Sequence, residues 1–337
     1  MDSLTQIVLG GAVGEAVLGK KVGNKAILWG AIAGTIPDLD TFVGNFLGTV
    51  DRLEIHRGFS HSIVFAILIA PILAYLVQRI YQKKKEANWW EWTQLFFWAV
   101  FTHPLLDAFT TWGTQLFWPL DNRLAFQSIF VIDPLYTVPF MISLAAVMAY
   151  KRSSGKRRKW NRFGLFISSF YLLLSLGVKG FANHNFSTYL QENQINYQNF
   201  DSRPAPFSII LWIFNLETED EFLISSYSLF DEQEDFEFKH FPKNHHLLNP
   251  YRNHHEVEKL IRLTKGKYIV EKTPEGVFLH DLRFGLINNF KPEAGKFVFT
   301  YVIEKKGREL KISQKQNSFE NKEELLESLW TRMMGRV

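Results

Sequence analysis

The chain of 337 residues contains no cysteine. That excludes disulfides and thiolate metal sites, so any bound metal must be held by His, Asp or Glu. It carries little net charge. The 38 basic and 34 acidic residues give +4, too little to argue for nucleic acid, and no nucleic-acid partner is expected. The start lacks the basic region of a secretory signal peptide, with Asp2 directly after Met1, so the first apolar stretch is expected to stay in the protein. There is no P-loop and no serine nucleophile elbow. The run "GGAVGEAVLG" lacks the preceding strand that a dinucleotide fingerprint requires. No internal repeat is visible.

Hydrophobic residues make up 47% of the chain and aromatics 15%. The mean hydropathy of −0.08 averages two unlike halves. Residues 1–182 hold long apolar runs separated by short charged clusters, and residues 183–337 read as a soluble domain. A membrane helix needs roughly 20 mostly apolar residues. Ile63–Ile80, Trp92–Thr111 and Phe163–Phe181 qualify, and Ile129–Tyr150 is a fourth candidate, interrupted early by Asp133 and Pro134. The Gly- and Ala-rich Leu4–Leu18 and Ala26–Ile36 are weaker, but small residues let helices approach closely inside a bundle. The expected fold is therefore an α-helical multi-pass membrane domain of about six segments, some short, followed by a C-terminal, mainly β (α+β) soluble domain.

Short basic loops stay on the cytoplasmic side. Lys20, Lys21 and Lys25, then Lys83–Lys85, then Lys151–Arg162 all agree with one up-and-down path of six segments. The N-terminus and residues 183–337 then fall outside the cytoplasm. In that second half, alternating aromatic or β-branched and polar residues predict strands at Pro206–Phe214, Glu221–Phe230, Lys267–Lys272, Gly276–Phe284 and Lys296–Lys305. A helix is expected in Asn321–Met334. The acidic run "DEQEDFE" (Asp231–Glu237) and the histidine pairs His245–His246 and His254–His255 read as solvated loops.

On this path the polar residues in or beside the apolar segments fall mainly on the outer side. An ionisable residue within the membrane is costly and marks a functional site by default. In "FTHPLLDAFT", His103 and Asp107 are four apart and share one helix face. That spacing suits two ligands of one cation, or a ligand and its partner; the plain alternative is a hydrogen bond joining helices. In "IPDLDTF", Pro37 ends a helix, and Asp38 and Asp40 would point to one side of an extended chain, where they repel unless a cation lies between them. The alternative is an Asp-rich turn. In "HRGFSHS", Gly58 permits a tight turn between His56 and His61, and Ser60 or Ser62 suits a helix cap. Arg57 carries a fork matched to phosphate or carboxylate. The alternative there is an interfacial loop with a snorkelling arginine.

Together these stretches offer His56, His61, His103, Asp38, Asp40 and Asp107 as a nitrogen/oxygen ligand set for a divalent ion, with zinc first and Mn, Fe or Mg as alternatives. Such an ion would acidify water for hydrolysis of an ester or phosphoester at the membrane surface. Asp40 and Asp107 are candidates for bridging ligand or general base, and Arg57 or Arg123 for an anion contact. Asp2 and Asp133 are further candidates. Glu15, toward the inner end of the first segment, suits a helix contact or a partner to a ligand.

The stretches "MDSLTQIVLGGAVGEAVLGKKVGNKAILWGAIAGTIPDLD", "HRGFSHS", "HPLLDAFTTWGTQLFWP" and "VIDPLY" closely resemble, in order, the YdjM-like family of membrane-bound, metal-dependent hydrolases. The resemblance covers about the first half of the chain. It implies a multi-pass protein of the bacterial inner membrane and a hydrolase activity, with no settled substrate. It maps the family's His and Asp motifs onto Asp38, Asp40, His56, His61, His103 and Asp107, with Asp2 and Asp133 as additions. Ser60 stands where Thr is more usual, which preserves the hydroxyl. "HDLRFG" (His280–Gly285) looks like a recurrent element of longer members. The expected function is a membrane-embedded metallohydrolase acting on a lipid or cell-envelope substrate in contact with the bilayer. The rivals are an ion or metal transporter with a His/Asp relay, and a structural or signalling membrane protein whose β domain binds a partner.

Overall fold

A computed structural model describes residues 1–81, 86–232, 236–287, 295–306, 309–315 and 322–335. It divides into two compact units. The first comprises Met1–Phe46, Ile55–Gly177 and Pro206–Ser208; the second comprises Leu47–Glu54, Val178–Ala205 and Ile209–Val337. The division falls inside one continuous helix, and eight residues from the helical half, Leu47–Glu54, belong with the second unit.

The first unit is helical. Its elements are α1 (Ser3–Val22), α2 (Asn24–Thr35), the short α3 (Asp40–Gly44), α5 (Ile63–Ile80), α6 (Trp89–Asp107), α7 (Pro134–Ala149) and the start of α8 (Gly155–Glu192). Between α3 and α5 lies α4 (Thr49–Ile55), most of it in the second unit. Helices form over all six expected stretches, but six membrane crossings are not supported. Among the described residues, three segments are long and apolar enough to cross: Asn24–Gly44, Ile63–Ile80 and Gly155–Glu192. The 16-residue α7 is apolar but short, and α1 and α6 do not qualify by length and composition. The reason lies in what these helices carry. Residues Glu15, Lys20 and Lys21 lie in α1, and Glu91, His103 and Asp107 in α6.

The small residues act as expected at one pair of helices. A Cβ on Gly10 would collide with the Gly30 carbonyl oxygen, and one on Gly34 with the Gln6 carbonyl oxygen. Helices α1 and α2 therefore touch backbone to backbone, which only glycine allows. At one end of this unit the basic residues meet acids: Lys21 pairs with Glu91, Lys25 with Glu86, and Arg152 Nη1 donates to the Lys21 carbonyl (2.7 Å). The expected cluster Lys83–Lys85 lies outside the described residues.

The second unit holds two four-stranded antiparallel sheets. One has the order β1 (Asn199–Pro204), β2 (Leu211–Glu217), β3 (Glu221–Ser228), β4 (Lys239–Pro242); the other runs β5 (Tyr268–Thr273), β6 (Gly276–Leu286), β7 (Phe297–Lys306), β8 (Glu309–Lys315). Leu211, Ile213, Phe222, Ile224, Ile269 and Leu282 form the core, with Leu329 and Met333 from α10 (Lys322–Met333). The strand expected at Pro206–Phe214 begins later, at Leu211, because Ala205 N closes back on the Leu211 carbonyl (2.7 Å) to form the β1–β2 turn. Strands β1, β4 and β8 and helix α9 (His255–Leu263) were not anticipated. Helix α9 holds α4 through Lys259 on Asp51 (2.9 Å) and Glu54 (2.8 Å).

His246, His254 and His255 are exposed as expected, but the loop reading needs correction elsewhere. His245 stacks on Tyr268 and its Nε2 donates to that residue's carbonyl (2.8 Å), and His255 opens α9. In the acidic run, Asp231 forms a two-point pair with Arg332 (2.6 and 2.8 Å), and Phe236 is buried against Phe186; residues 233–235 lie outside the described set.

Candidate metal centre

The ligand-bearing segments are placed by local rules. Pro37 follows the end of α2 and starts a single helical turn, Pro37–Leu39, that runs into α3. Asp38 and Asp40 therefore sit on a helical path, not on the extended chain expected from the sequence. Two residues on a helix point in different directions, so the pair divides its work: Asp38 faces His61 and His103, and Asp40 faces the loop after α4. Phe59–His61 form another single turn, and Ser62 caps α5 by accepting from Phe65 N (3.1 Å). The left-handed backbone in this loop falls on Arg57 (φ 58°), not on Gly58. A non-glycine residue is held there at a cost of about 1 kcal/mol or more. The hold comes from Arg57 N donating to Asp40 Oδ2 (2.8 Å) and Gln115 N donating to the Arg57 carbonyl (3.0 Å). Helix α6 starts at a capping box of Asn88 and Glu91, and its last turn carries His103 and Asp107.

Four side chains converge: Asp38, His61, His103 and Asp107. His61 Nε2 lies 3.1 Å from His103 Nε2, 3.4 Å from Asp38 Oδ1 and 3.5 Å from Asp107 Oδ2. His103 Nε2 lies 3.5 Å from Asp38 Oδ1 and 3.7 Å from Asp107 Oδ2. Ligands about 2.1 Å from a common centre at tetrahedral angles are about 3.4 Å apart. The five measured edges match that spacing.

The hydrogen bonds around the rings fix what points inward. His103 Nδ1 is 2.6 Å from the Gly34 carbonyl, which can only accept, so Nδ1 carries the hydrogen and Nε2 presents a lone pair. The glycine contact of α1 on α2 thereby leads into the site through Gly34. Ser60 Oγ donates to Asp40 Oδ2 (3.0 Å), so the 2.9 Å contact between Ser60 Oγ and His61 Nδ1 has the ring as donor. His61 Nε2 then also presents a lone pair. Two lone pairs 3.1 Å apart, with two carboxylates beside them, repel unless a proton or a cation lies among them. Burial disfavours charge on His61, but hydrogen bonds to Asp107, Asp38 and Asp40 outweigh it and push its pKa up to about 9. The pocket thus attracts a positive charge of either kind.

Asp107 is supported from several sides. Its Oδ1 accepts from Gln6 Nε2 (3.0 Å) and from the Met1 amino group, and Arg57 Nε lies 3.1 Å from Oδ2. Arg57 Nη1 donates to Thr110 Oγ1 (2.8 Å), and the residue is buried. Its guanidinium is thus directed at Asp107. Asp107 Oδ2 has no hydrogen-bond donor. Among the ligand side chains, His61, His103 and Asp107 are 0% exposed and Asp38 is 25% exposed, so the centre opens on the Asp38 side.

The remaining candidates lie elsewhere. His56 is outside the convergent four; its Nδ1 faces Asp40 Oδ1 (3.1 Å), its side chain is 28% exposed, and burial lowers its pKa against the pull of Asp40. Asp2 caps α1 through Thr5 N (3.1 Å), and Asp133 caps α7 while accepting from Tyr171 (2.9 Å). Glu15 pairs with Arg157. Arg123 Nη1 donates to the His56 carbonyl (2.8 Å). The sequence reading missed Gln6, Thr110 and the Gly34 carbonyl, and it offered Ser60 as a helix cap where the structure sets it between Asp40 and His61. Gln6 had a usable signal, since it is an amide in an apolar helix one residue past a threonine.

These features define a helical membrane protein with a buried, two-histidine, two-aspartate centre able to hold a cation. The family described as YdjM inner membrane protein matches residues 1–184, more than half of the chain, and the chain belongs to it. It is 29% identical over 153 residues to the uncharacterized protein YfhP of Bacillus subtilis (strain 168), covering 43% of this chain and 46% of that protein. It is 30% identical over 129 residues to the inner membrane protein YbcI of Escherichia coli (strain K12), covering 37% of this chain and 70% of that one. The chain thus spans about half the length of the first relative. No solved structure matches.

Proposed function

We propose that this membrane protein is a metal-dependent hydrolase whose centre is Asp38, His61, His103 and Asp107. The observation that carries the reading is the pair of inward lone pairs, with two carboxylates at tetrahedral spacing and an opening on one side only. The donor set, without sulfur, suits zinc first and Mn, Fe or Mg next. A divalent cation held there supplies Lewis acidity, acidifying water and polarising the oxygen of an ester or phosphoester.

The chain's own groups divide the rest of the work. Asp40 holds His56 Nδ1 directly and His61 Nδ1 through Ser60, which leaves His56 Nε2 free to accept the proton of an attacking water and return it to the leaving oxygen. The rings of His56 and His61 are 6.2 Å apart, so that base borders the centre. Arg57 keeps Asp107 ionised and in place. Leu39, Phe42 and Val43 stand exposed beside Asp38. An apolar rim at the only open ligand favours a substrate with a hydrocarbon part, and thus a lipid or lipid-linked envelope ester or phosphoester. The basic end formed by Lys21, Lys25 and Arg152 supports a cytoplasmic placement for that end. The centre and residues 183–337 then face the outside.

The test is elemental analysis of the detergent-purified protein, wild type beside His61→Ala, followed by a panel of ester and phosphoester lipids. About one equivalent of a divalent metal in the wild type, absent from the variant and needed for hydrolysis, is the expected result. Full occupancy in both would sink the site; metal without turnover on any substrate would sink the activity.

A further inference from the structure

The second unit buries an arginine whose two terminal nitrogens have no hydrogen-bond partner. Arg203, at the end of β1, is 4% exposed, yet neither Nη1 nor Nη2 has a hydrogen-bond partner. Burying such donors unmet costs more than a neutral group would, because the guanidinium stays charged. Burial pulls its pKa down to about 10, against the pull of Asp201 and Asp281, so it carries its charge at neutral pH.

Its neighbours do not fill the gap. Asp281 is held by Arg283 through Nη2 (2.6 Å) and Nε (3.0 Å). Asp201 Oδ1 is held by Lys267 Nζ (2.7 Å). Arg203, Arg283 and Lys267 thus face two carboxylates, and Lys179 also acts on Asp201, so cations outnumber acids here among the described residues. Two acceptors are also unmet. Asp201 Oδ2 and Asn215 Oδ1 are buried without donors. Asp201 and Asn215 are register partners across β1 and β2, and Arg203 lies two residues from Asp201, so all three share one face of the sheet. That face meets β6, since Asn215 Nδ2 donates to the Leu282 carbonyl (2.9 Å). Gly285, at φ 73°, leaves the guanidinium room that any Cβ would take. It belongs to "HDLRFG", and its missing side chain now has a physical reason.

We infer that this cluster is a binding site for a protonated oxyanion, such as hydrogen phosphate or a phosphomonoester. The arginine fork receives two anionic oxygens, and the hydroxyl of the same group donates to Asp201 or Asn215. An oxyanion without a proton would meet the Asp201 carboxylate unfavourably. Inorganic phosphate keeps a proton throughout the neutral range; a phosphomonoester, with its second pKa about 6, keeps one in a minor fraction at pH 7, and sulfate keeps none. The entry edge is Lys267 and Asp201, whose side chains are 21% and 12% exposed.

The experiment uses the full chain in detergent, with inorganic phosphate as the probe and calorimetry as the readout. Phosphate is expected to bind at least tenfold more tightly than sulfate, and Arg203→Met to weaken it at least tenfold. His103→Ala keeps the affinity, which separates this site from the metal centre and from the reading built on it. Should Arg203→Met fail to fold, Lys267→Gln at the rim is expected to weaken phosphate several-fold while keeping the unfolding temperature. Competition by phosphatidic acid in the micelle assigns a lipid headgroup as the natural source; phosphate binding that phosphatidic acid leaves intact assigns a soluble phosphate. Equal affinity for sulfate, or unchanged phosphate binding in both Arg203→Met and Lys267→Gln, overturns the proposal.

Discussion

The helical unit buries two sets of charged side chains, and they differ in how fully their bonding capacity is met. Arg157, 2% exposed, places Nε and Nη2 on the two oxygens of Glu15 (2.7 and 2.5 Å) and Nη1 on Asn24 and two carbonyls. Nothing is left to bind. At the Asp38–His61–His103–Asp107 cluster, two ring nitrogens present lone pairs to each other, and Asp107 Oδ2 and Gln6 Oε1 lack donors. In sequence Glu15 and His103 read alike, as ionisable residues in apolar helices. The difference teaches that burial of charge does not by itself mark a functional site. A closed set joins helices, and an open one is shaped for something else.

The largest expected effect is at the open set. His103→Ala should take bound metal from about one equivalent to almost none, read by mass spectrometry after dialysis. The matching change at the closed set, Glu15→Ala, should keep the metal. It should destabilise the protein by about 3–5 kcal/mol, because Arg157 is left buried and unpaired; thermal unfolding in detergent measures it. A Glu15→Ala protein that lost its metal would break the comparison. Next comes Asp40→Asn, which loosens the orientation of His61 and should weaken metal binding about 10–100-fold in a chelator competition. Lowering the pH should also release metal. A cation at this centre would need His61 without its proton, and the pKa of His61 is pushed up to about 9, so affinity should fall steadily from pH 7.5 to 5.5. A pH-independent affinity would place the metal away from the histidines. The smallest effect is at Gln6→Ala, a few-fold loss from a misplaced Asp107. The same change should leave the Glu15–Arg157 pair, and its contribution to stability, intact.

Much of this was legible in the chain. The run of "FTHPLLDAFT" put His103 and Asp107 on one face, and they share the centre. The Gly and Ala of the first two segments announced close helix contact, and Gly10 against Gly30 makes it. The strands that showed were those with aromatic and β-branched alternation. Strand β8 (ELKISQK) and β1 (NFDSRP) were hidden by their charges, and α9 by a stretch of His and Asn around Val257 and Leu260. Four of the six proposed ligands converge. His56 and Asp40 stand beside them because a single helical turn after Pro37 turned the second aspartate away from the first.

By itself, the sequence determined that any metal here meets only nitrogen and oxygen, and that a helical half precedes a β-rich one. Local periodicity and residue chemistry fix such things. The tertiary structure decided which histidine of "HRGFSHS" joins His103, since a separation of 42 positions between His61 and His103 carries no rule for the angle at which they meet. It also decided which way the rings face. That depends on Gly34 and Ser60, groups whose role exists only once the backbone has brought them within hydrogen-bond reach.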